Sequence, residues 1–310
     1  MTAWSRPGLS SAPATARSPG LSPEVRLAYG ACRRMQRRHD PTYYWATRRL
    51  PPEIRPAVHA LYGFVRGADE LVDGADRPSD PAARRRALDD WQAELERGRA
   101  SGRSRHPVIA ALVDAGRRHE LPLSELSIYM DSMRLDCGPV RVANRAELDR
   151  YMRGSAGAVG MVMAPLLDTP TELHPEVARL GSAFQLANFI RDVTEDYALD
   201  RIYLPADELA RHGVSVEDIA QRRSSDGLRS LLAAEVDRAR SLFASSKNLD
   251  RVLPASVRPG VHVARSVYER ILDRIEALDF DILASPVRVP PWQLAGVAVS
   301  ALARGGRRRA

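Results

Sequence analysis

Lysine is almost missing from this chain: of 46 basic side chains one, Lys247, is a lysine and the rest are arginine. Abundant arginine is therefore a habit of the whole composition, and no arginine can be read as a phosphate ligand from its type alone. Cysteine is nearly as scarce. Cys32 and Cys137 are the only two, too few for a disulfide framework or a thiolate metal cluster, so both are expected as small buried hydrophobes in a reducing cytoplasm. No apolar run reaches the roughly 20 residues that span a bilayer. The nearest, Leu294 to Ala303, is ten residues long. Alternating strand patterns, internal repeats, a P-loop, a dinucleotide-binding G-x-G-x-x-G and a His-rich zinc motif are also missing. These absences exclude β architectures, Rossmann domains, P-loop NTPases and zinc enzymes. With 310 residues, 44% apolar and 27% charged, the remaining reading is a single all-α domain built on one large core.

The formal charge of +7 is unevenly placed. Residues 1–38 carry seven arginines against Glu24, and residues 304–310 carry four arginines, so the ends hold +10 and the body is left at −3. A mildly acidic body with basic ends does not suit a phosphate-backbone groove, and no nucleic-acid partner is expected. Basic ends do suit an anionic membrane surface. Residues 1–21, rich in Ser, Pro, Ala and Gly, are expected to be a disordered extension without a targeting signal. The catalytic domain is expected over 22–304, with a basic tail at 305–310.

Two stretches carry chemistry. In QLANFIRDVTEDYALDRIYLP, Gln185 to Pro205, the polar residues Gln185, Asn188, Asp192 and Asp196 step by three, four and four. On an α-helix that spacing makes one stripe. Leu186, Phe189, Ile190 and Val193 occupy the other faces, so the helix reads as buried against a polar cavity, and buried aspartates need cations. In LYGFVRGADELVD, Leu61 to Asp73, the design recurs with Tyr62, Arg66, Asp69 and Asp73 at four, three and four. Either Asp pair alone would fit a solvated helix face. Together they predict a shared site.

Other helices are expected from Ser22 to about Arg38, over Ala82–Gly98, His106–His119, Leu123–Asp136, Leu228–Ser245 and Val261–Leu278, with short ones over Ala206–Gln221. Pro51 and Pro52 should stop one helix and open the next. Tyr43, Tyr44 and Trp45 read equally as core or as pocket lining, and Met133 as core. In Tyr151–Met163 the glycines 154, 157 and 160 each cost about 1 kcal/mol relative to Ala in a helix. Close packing, a kink, or room for a long apolar ligand would explain them. Ser285–Trp292, SPVRVPPW, reads as an extended link that leaves Arg288 free to point inward.

Carboxylates facing one cavity repel each other and any anionic substrate unless divalent cations intervene. Mg²⁺ bridges carboxylates to phosphate oxygens, and Arg66, Arg191, Arg201 and Arg288 would add positive charge. A diphosphate is the natural substrate, and an apolar helical box behind it suits ionisation of an allylic diphosphate.

With these residues in place, DELVD, QLANFIRDVTED with RIYLP, TYYWATRRLPP, YMRGSAGAVG and SPVRVPPW together resemble the squalene/phytoene synthase family, over about residues 25–304 and in order. The closest flavour is that of bacterial phytoene synthases. The resemblance implies an isoprenoid-synthase-type helical bundle around a central cavity, with Mg²⁺ or Mn²⁺ held by Asp69 and Asp73 on one side and by Asp192 and Asp196 on the other. It implies diphosphate contacts from Tyr62, Arg66, Gln185, Asn188, Arg191, Arg201, Tyr203, Tyr268 and Arg288, and places Tyr43 and Tyr151 near the reacting isoprenoids. Two prenyl diphosphates would condense head to head through a cyclopropylcarbinyl diphosphate, giving phytoene from C20 units without NADPH. The alternative is a C15-using squalene or dehydrosqualene synthase. A class I terpene cyclase would show an N-S-E-type second motif, which is lacking, and a non-catalytic assembly factor would be expected to lose aspartates. The sequence departs from the family at Glu70, where a second Asp is usual, and at Thr42, where Ser is common. A cytoplasmic enzyme peripheral to the membrane is expected, with Leu294–Ala310 as its foot; no feature specifies an oligomeric state.

Overall fold

Ser22 starts the first helix as expected: its hydroxyl accepts the N–H of Val25 (3.3 Å), and Pro23 occupies the first turn. The computed structural model describes residues 21–284 and Val287, so the N-terminal extension, Arg288 with most of its link, and the C-terminal foot lie outside the described residues. Helix α1 (Pro23–His39) ends at Asp40, whose carboxylate then caps α2 (Pro41–Thr47) through the N–H of Tyr43 at 2.8 Å. The helix therefore stops four residues before Pro51, and α3 (Arg55–Asp73) opens on Arg55 and Pro56; the Pro51–Pro52 pair sits in the turn between them.

α4 (Pro81–Ser101), capped by Asp80, α5 (Pro107–Arg118) and α6 (Glu125–Leu135) follow. α7 (Arg145–Met152) passes through a π-helical turn, Arg153–Gly157, into α8 (Ala158–Met163). Then come α9 (His174–Arg191), α10 (Val193–Ala198), α11 (Ala206–Arg211), α12 (Val216–Ala220), α13 (Asp226–Ser245), α14 (Leu249–Val252) and α15 (Arg258–Ala277). Among the described residues the one small departure from helix and turn is a strand pair: β1 (Val140–Arg141) pairs in parallel with β2 (Arg201–Ile202). Two-residue strands carry no alternation to read.

α9 is the central helix. It packs against α13, α8, α15 and the π turn, while α1, α3 and α5 form the neighbouring group and α6 joins the two. One contiguous apolar cluster runs through both groups, from Phe64 and Leu112 to Tyr129, Leu186 and Phe243. Cys32 and Cys137 are free and buried in it, as expected. The glycines of Tyr151–Met163 serve close packing. A Cβ on Gly160 would lie 2.8 Å from the carbonyl oxygen of Val177 and 2.9 Å from Cα of Ala178, so α8 and α9 touch backbone to backbone.

The polar stripe expected on one continuous helix is carried by two. α9 stops at Arg191, and Asp192 (φ −103°, ψ 19°) leaves helical geometry before α10 begins. Spacing survives the break because Asp192 N–H still bonds Asn188 O and Asp196 N–H bonds Asp192 O, both at 2.8 Å. Local i→i−4 pairing thus holds the stripe in line across a change of direction.

Candidate active site

α3, α6, α9, α10 and β2 enclose a chamber of about 310 Å³ whose lining includes Asp69, Asp73, Asp136, Asp192, Asp196, Gln185, Asn188, Arg191 and Arg201. The aspartates of both predicted stripes therefore face one cavity. Asn188 also lines an adjoining apolar chamber of about 220 Å³ and a third of about 420 Å³. The apolar chamber is walled by Tyr43, Val65, Val159, Gly160, Phe184 and Tyr268, among others. Gly160 borders this chamber too, but a Cβ there would meet the α9 backbone, so its small size serves packing.

The carboxylates are balanced unevenly. Asp73 is bidentate with the guanidinium of Arg201 (2.9 and 2.5 Å), which also donates to the backbone carbonyl of Asp136 at 2.6 Å. Asp192 is bidentate with Arg191, at 2.5 Å for both contacts. Asp69 accepts only the hydroxyl of Tyr129, at 3.1 Å, and burial raises its pKa from 3.8 to about 7. Asp196 has no ion pair among the described residues; burial, then the neighbouring charge of Asp192, lifts it to about 8. The amide oxygen of Asn188 is buried without a hydrogen-bond partner among the described residues. Oxygen donors alone, facing one another across a chamber and short of cations, suit a hard divalent ion. Among the described residues no three acidic, His or Cys groups converge on one point as they stand; Arg191 and Arg201 hold two of the four aspartates instead.

Asp136 went unrecognised in the sequence. It is 4% exposed and accepts the hydroxyls of Tyr151 (2.5 Å) and Tyr203 (2.8 Å), while burial raises its pKa to about 6. Its signal was its register: at the C-cap of α6, three residues after Met133 and seven after Tyr129, it continues the helix's apolar stripe, where an acid is out of place. Met133 itself lines the carboxylate chamber as well as the core. Tyr203 stacks on Phe189 with centroids 4.0 Å apart, and Tyr151 tilts against both rings. Asp40, also unpredicted, lines the third chamber beside Arg191 and Tyr268.

The remaining expectations divide. Tyr43 and Tyr268 line the apolar and third chambers, and Tyr268 stacks on Phe184 at 4.5 Å. Tyr62 lies close enough to Asp40, Arg66, Asp69 and Glu70 to feel their charges, but neither it nor Arg66 lines the carboxylate chamber. Arg66 bonds Glu70, which is 41% exposed and outside that lining. Of the three consecutive aromatics, Tyr43 faces the cavity, Tyr44 is core beside His59, and Trp45 is 58% exposed, neither core nor pocket.

Comparison with known proteins agrees with this geometry. The model of the family described as squalene/phytoene synthase matches residues 36–293. The phytoene synthase of Thermus thermophilus is 34% identical over 263 residues, covering 84% of this chain and 88% of that protein. The 15-cis-phytoene synthase of Synechocystis is 34% identical over 288 residues, covering 88% and 84%. Among solved structures, squalene synthase HpnC from Alicyclobacillus acidocaldarius superposes with a TM-score of 0.76 at 30% identity, over 84% of this chain and 97% of that one. A dehydrosqualene synthase shares the fold at a TM-score of 0.83 and 22% identity, over 91% and 97%. With the family model matched over most of the chain and relatives 34% identical over more than four fifths of it, this chain belongs to the squalene/phytoene synthase family.

Proposed function

We propose that the chain is a prenyltransferase that condenses two C20 prenyl diphosphates head to head to phytoene, a step of carotenoid biosynthesis. The carrying observation is the junction at Asn188, where a chamber lined by five aspartates opens onto an apolar one. The likeness to phytoene synthases over more than four fifths of both chains supports the C20 branch.

Asp69, Asp73, Asp192 and Asp196 are the residues that would hold Mg²⁺ or Mn²⁺, whose chemistry there is to neutralise diphosphate charge as it builds on the leaving group. Arg191 would exchange its carboxylate for diphosphate oxygens, while Arg201, anchored to Asp73 and the Asp136 carbonyl, would contact the diphosphate from its fixed place at the chamber wall. Gln185 and Asn188 then orient the diphosphate at the junction, with the remaining contacts of the family set, Tyr62, Arg66, Tyr268 and Arg288, proposed around it. When the carbon–oxygen bond of one substrate breaks, the allylic cation lies among the ring faces of Tyr43, Phe184 and Tyr268, which exclude water and stabilise positive charge. The double bond of the second substrate attacks it, and loss of a proton closes the cyclopropane. Departure of the second diphosphate, rearrangement and loss of another proton give the hydrocarbon. Asp136 occupies the hydroxyl protons of Tyr151 and Tyr203, so both phenols turn oxygen lone pairs, not protons, toward the cavity.

The expected outcome is that C20 diphosphate with Mg²⁺ or Mn²⁺ yields phytoene at a rate unchanged by NADPH. Squalene formed only from C15 diphosphate plus NADPH, with C20 diphosphate inert by mass analysis of products, would overturn the reading. The oily product further supports peripheral attachment to a membrane; among the described residues no helix is long and apolar enough to cross one.

A further inference from the structure

Between residues 25 and 49 the sequence places seven arginines against a single acid, Asp40. The fold sorts them onto one side. Asp40 lines the internal cavity, while Arg26, Arg33, Arg34, Arg37, Arg38 and Arg48 are all exposed on α1 and just beyond α2. Some arginines elsewhere are paired with acids, such as Arg97 and Arg99 on α4 and Arg238 and Arg240 on α13, and unpaired exposed ones such as Arg77, Arg150, Arg222 and Arg251 stand far apart in the sequence instead of clustering on one helix. Among the described residues, none of the six on α1 and after α2 pairs with a carboxylate. Arg33 spends its Nε on the hydroxyl of Tyr44 (3.2 Å), and Arg48 lies over the ring of Trp45, 5.7 Å from its centroid. Two large apolar side chains are exposed among these charges, Leu27 at 72% and Trp45 at 58%.

An uncompensated arginine face carrying an exposed indole and a leucine has the composition of a surface that rests in the headgroup region of a bilayer. The guanidiniums meet lipid phosphates, and the indole places its apolar body inward and its N–H toward water. We propose that α1 and α2 form the face by which this protein docks on an anionic lipid bilayer, with Trp45 as the inserted side chain. The use of that face rests on the function proposed above: Tyr43, Ala46 and Thr47, on the inner side of α2, line the apolar chamber, so one short helix separates product from lipid. The surface chemistry itself does not depend on it.

The test uses the full chain and sedimentation with vesicles of phosphatidylcholine alone or mixed with phosphatidylglycerol. The parent is expected to bind the mixed vesicles at low salt and to be released at high salt. Reversal of three charges, Arg34→Glu, Arg37→Glu and Arg38→Glu, should weaken that binding at least roughly tenfold. Trp45→Ala should weaken it several-fold and abolish the blue shift of tryptophan emission on vesicle addition. A variant with the tail arginines 304, 307, 308 and 309 changed to serine should still bind. Face variants that bind like the parent, loss of binding in the tail variant alone, or equal binding to uncharged vesicles would each overturn the proposal. So would a face whose charge reversal weakens binding to an oligonucleotide but not to vesicles. Turnover in detergent separates the two readings: face variants should condense C20 diphosphate at the parental rate, and failure of the parent to do so would count against the function alone.

Discussion

The two aspartate pairs share i, i+4 spacing and are restrained in different ways. On α3, Asp73 is tied to Arg201, a residue 128 positions away and 5% exposed, which is itself anchored to the carbonyl of Asp136. Across the chamber, Asp192 is tied to its own neighbour, Arg191, at a break in the helix. One clamp is part of the scaffold; the other is local and opens by rotation of one side chain. The remaining member of each stripe, Asp69 or Asp196, has no arginine and is held toward its neutral form by burial. Identical motifs therefore supply one structural and one releasable arm to the same cavity.

The largest effects should come from the clamped aspartates. Asp192→Asn is expected to lower turnover at least about a hundredfold while changing stability by less than about 1 kcal/mol, because Arg191 keeps access to water. Asp73→Asn should lower turnover comparably and also cost about 2 kcal/mol, since it strands Arg201. That is below the value for a fully buried pair because Asp73 is 37% exposed. Urea unfolding beside steady-state rates measures both; equal stability losses would erase the distinction between the arms, and near-normal turnover of Asp192→Asn in saturating Mg²⁺ would remove that residue from the metal site.

A smaller effect concerns pH. Asp69 and Asp196 move from an ordinary value of 3.8 to about 7 and about 8. A raised carboxyl pKa means that the folded metal-free protein binds more protons than the unfolded chain in that window. Its stability is then greatest below pH 4 on this account and is lost as pH rises toward about 8. If, as proposed, these aspartates hold Mg²⁺, the ion would take their deprotonated form, so its gain in Tm should grow from about pH 5 to about pH 8. Asp196→Asn should flatten the trend; a Tm gain that is constant with pH would contradict it.

The smallest effect is expected at Glu70. Glu70→Gln removes a half-exposed partner of Arg66 that lies outside the chamber lining, so kcat/KM should change by less than about threefold. A loss on the scale of Asp69→Asn would add Glu70 to the residues proposed to hold the metal.

Both stripes were legible in the sequence because i, i+4 spacing is a local property, and the all-helical class was legible because apolar periodicity is too. The pairing of Asp73 with Arg201 and the grouping of Asp136 with Tyr151 and Tyr203 were not, since their partners are 128, 15 and 67 residues away. The break at Asp192 was hidden because the hydrogen bonds on either side of it keep α-helical spacing. The fate of Trp45 was ambiguous because three successive aromatics on a short helix must point in three directions, and only the position of α1 and α15 decides which is outward.

The two-residue parallel ladder is the least of the elements, yet it acts as a vernier for the whole cavity. Val140 pairs with Arg201 and Arg141 with Ile202, so the extended run through Tyr203 places Arg201 and Tyr203 on one side and Ile202 on the other. Arg201 and Tyr203 meet Asp73 and Asp136, while Ile202 is 5% exposed in the core. Side chains alternate with a period of two, so a slip of one position would turn the arginine and the phenol out of the chamber together and drive an isoleucine toward the carboxylates. The alignment of the charged wall is thereby set to a single residue by a few backbone hydrogen bonds.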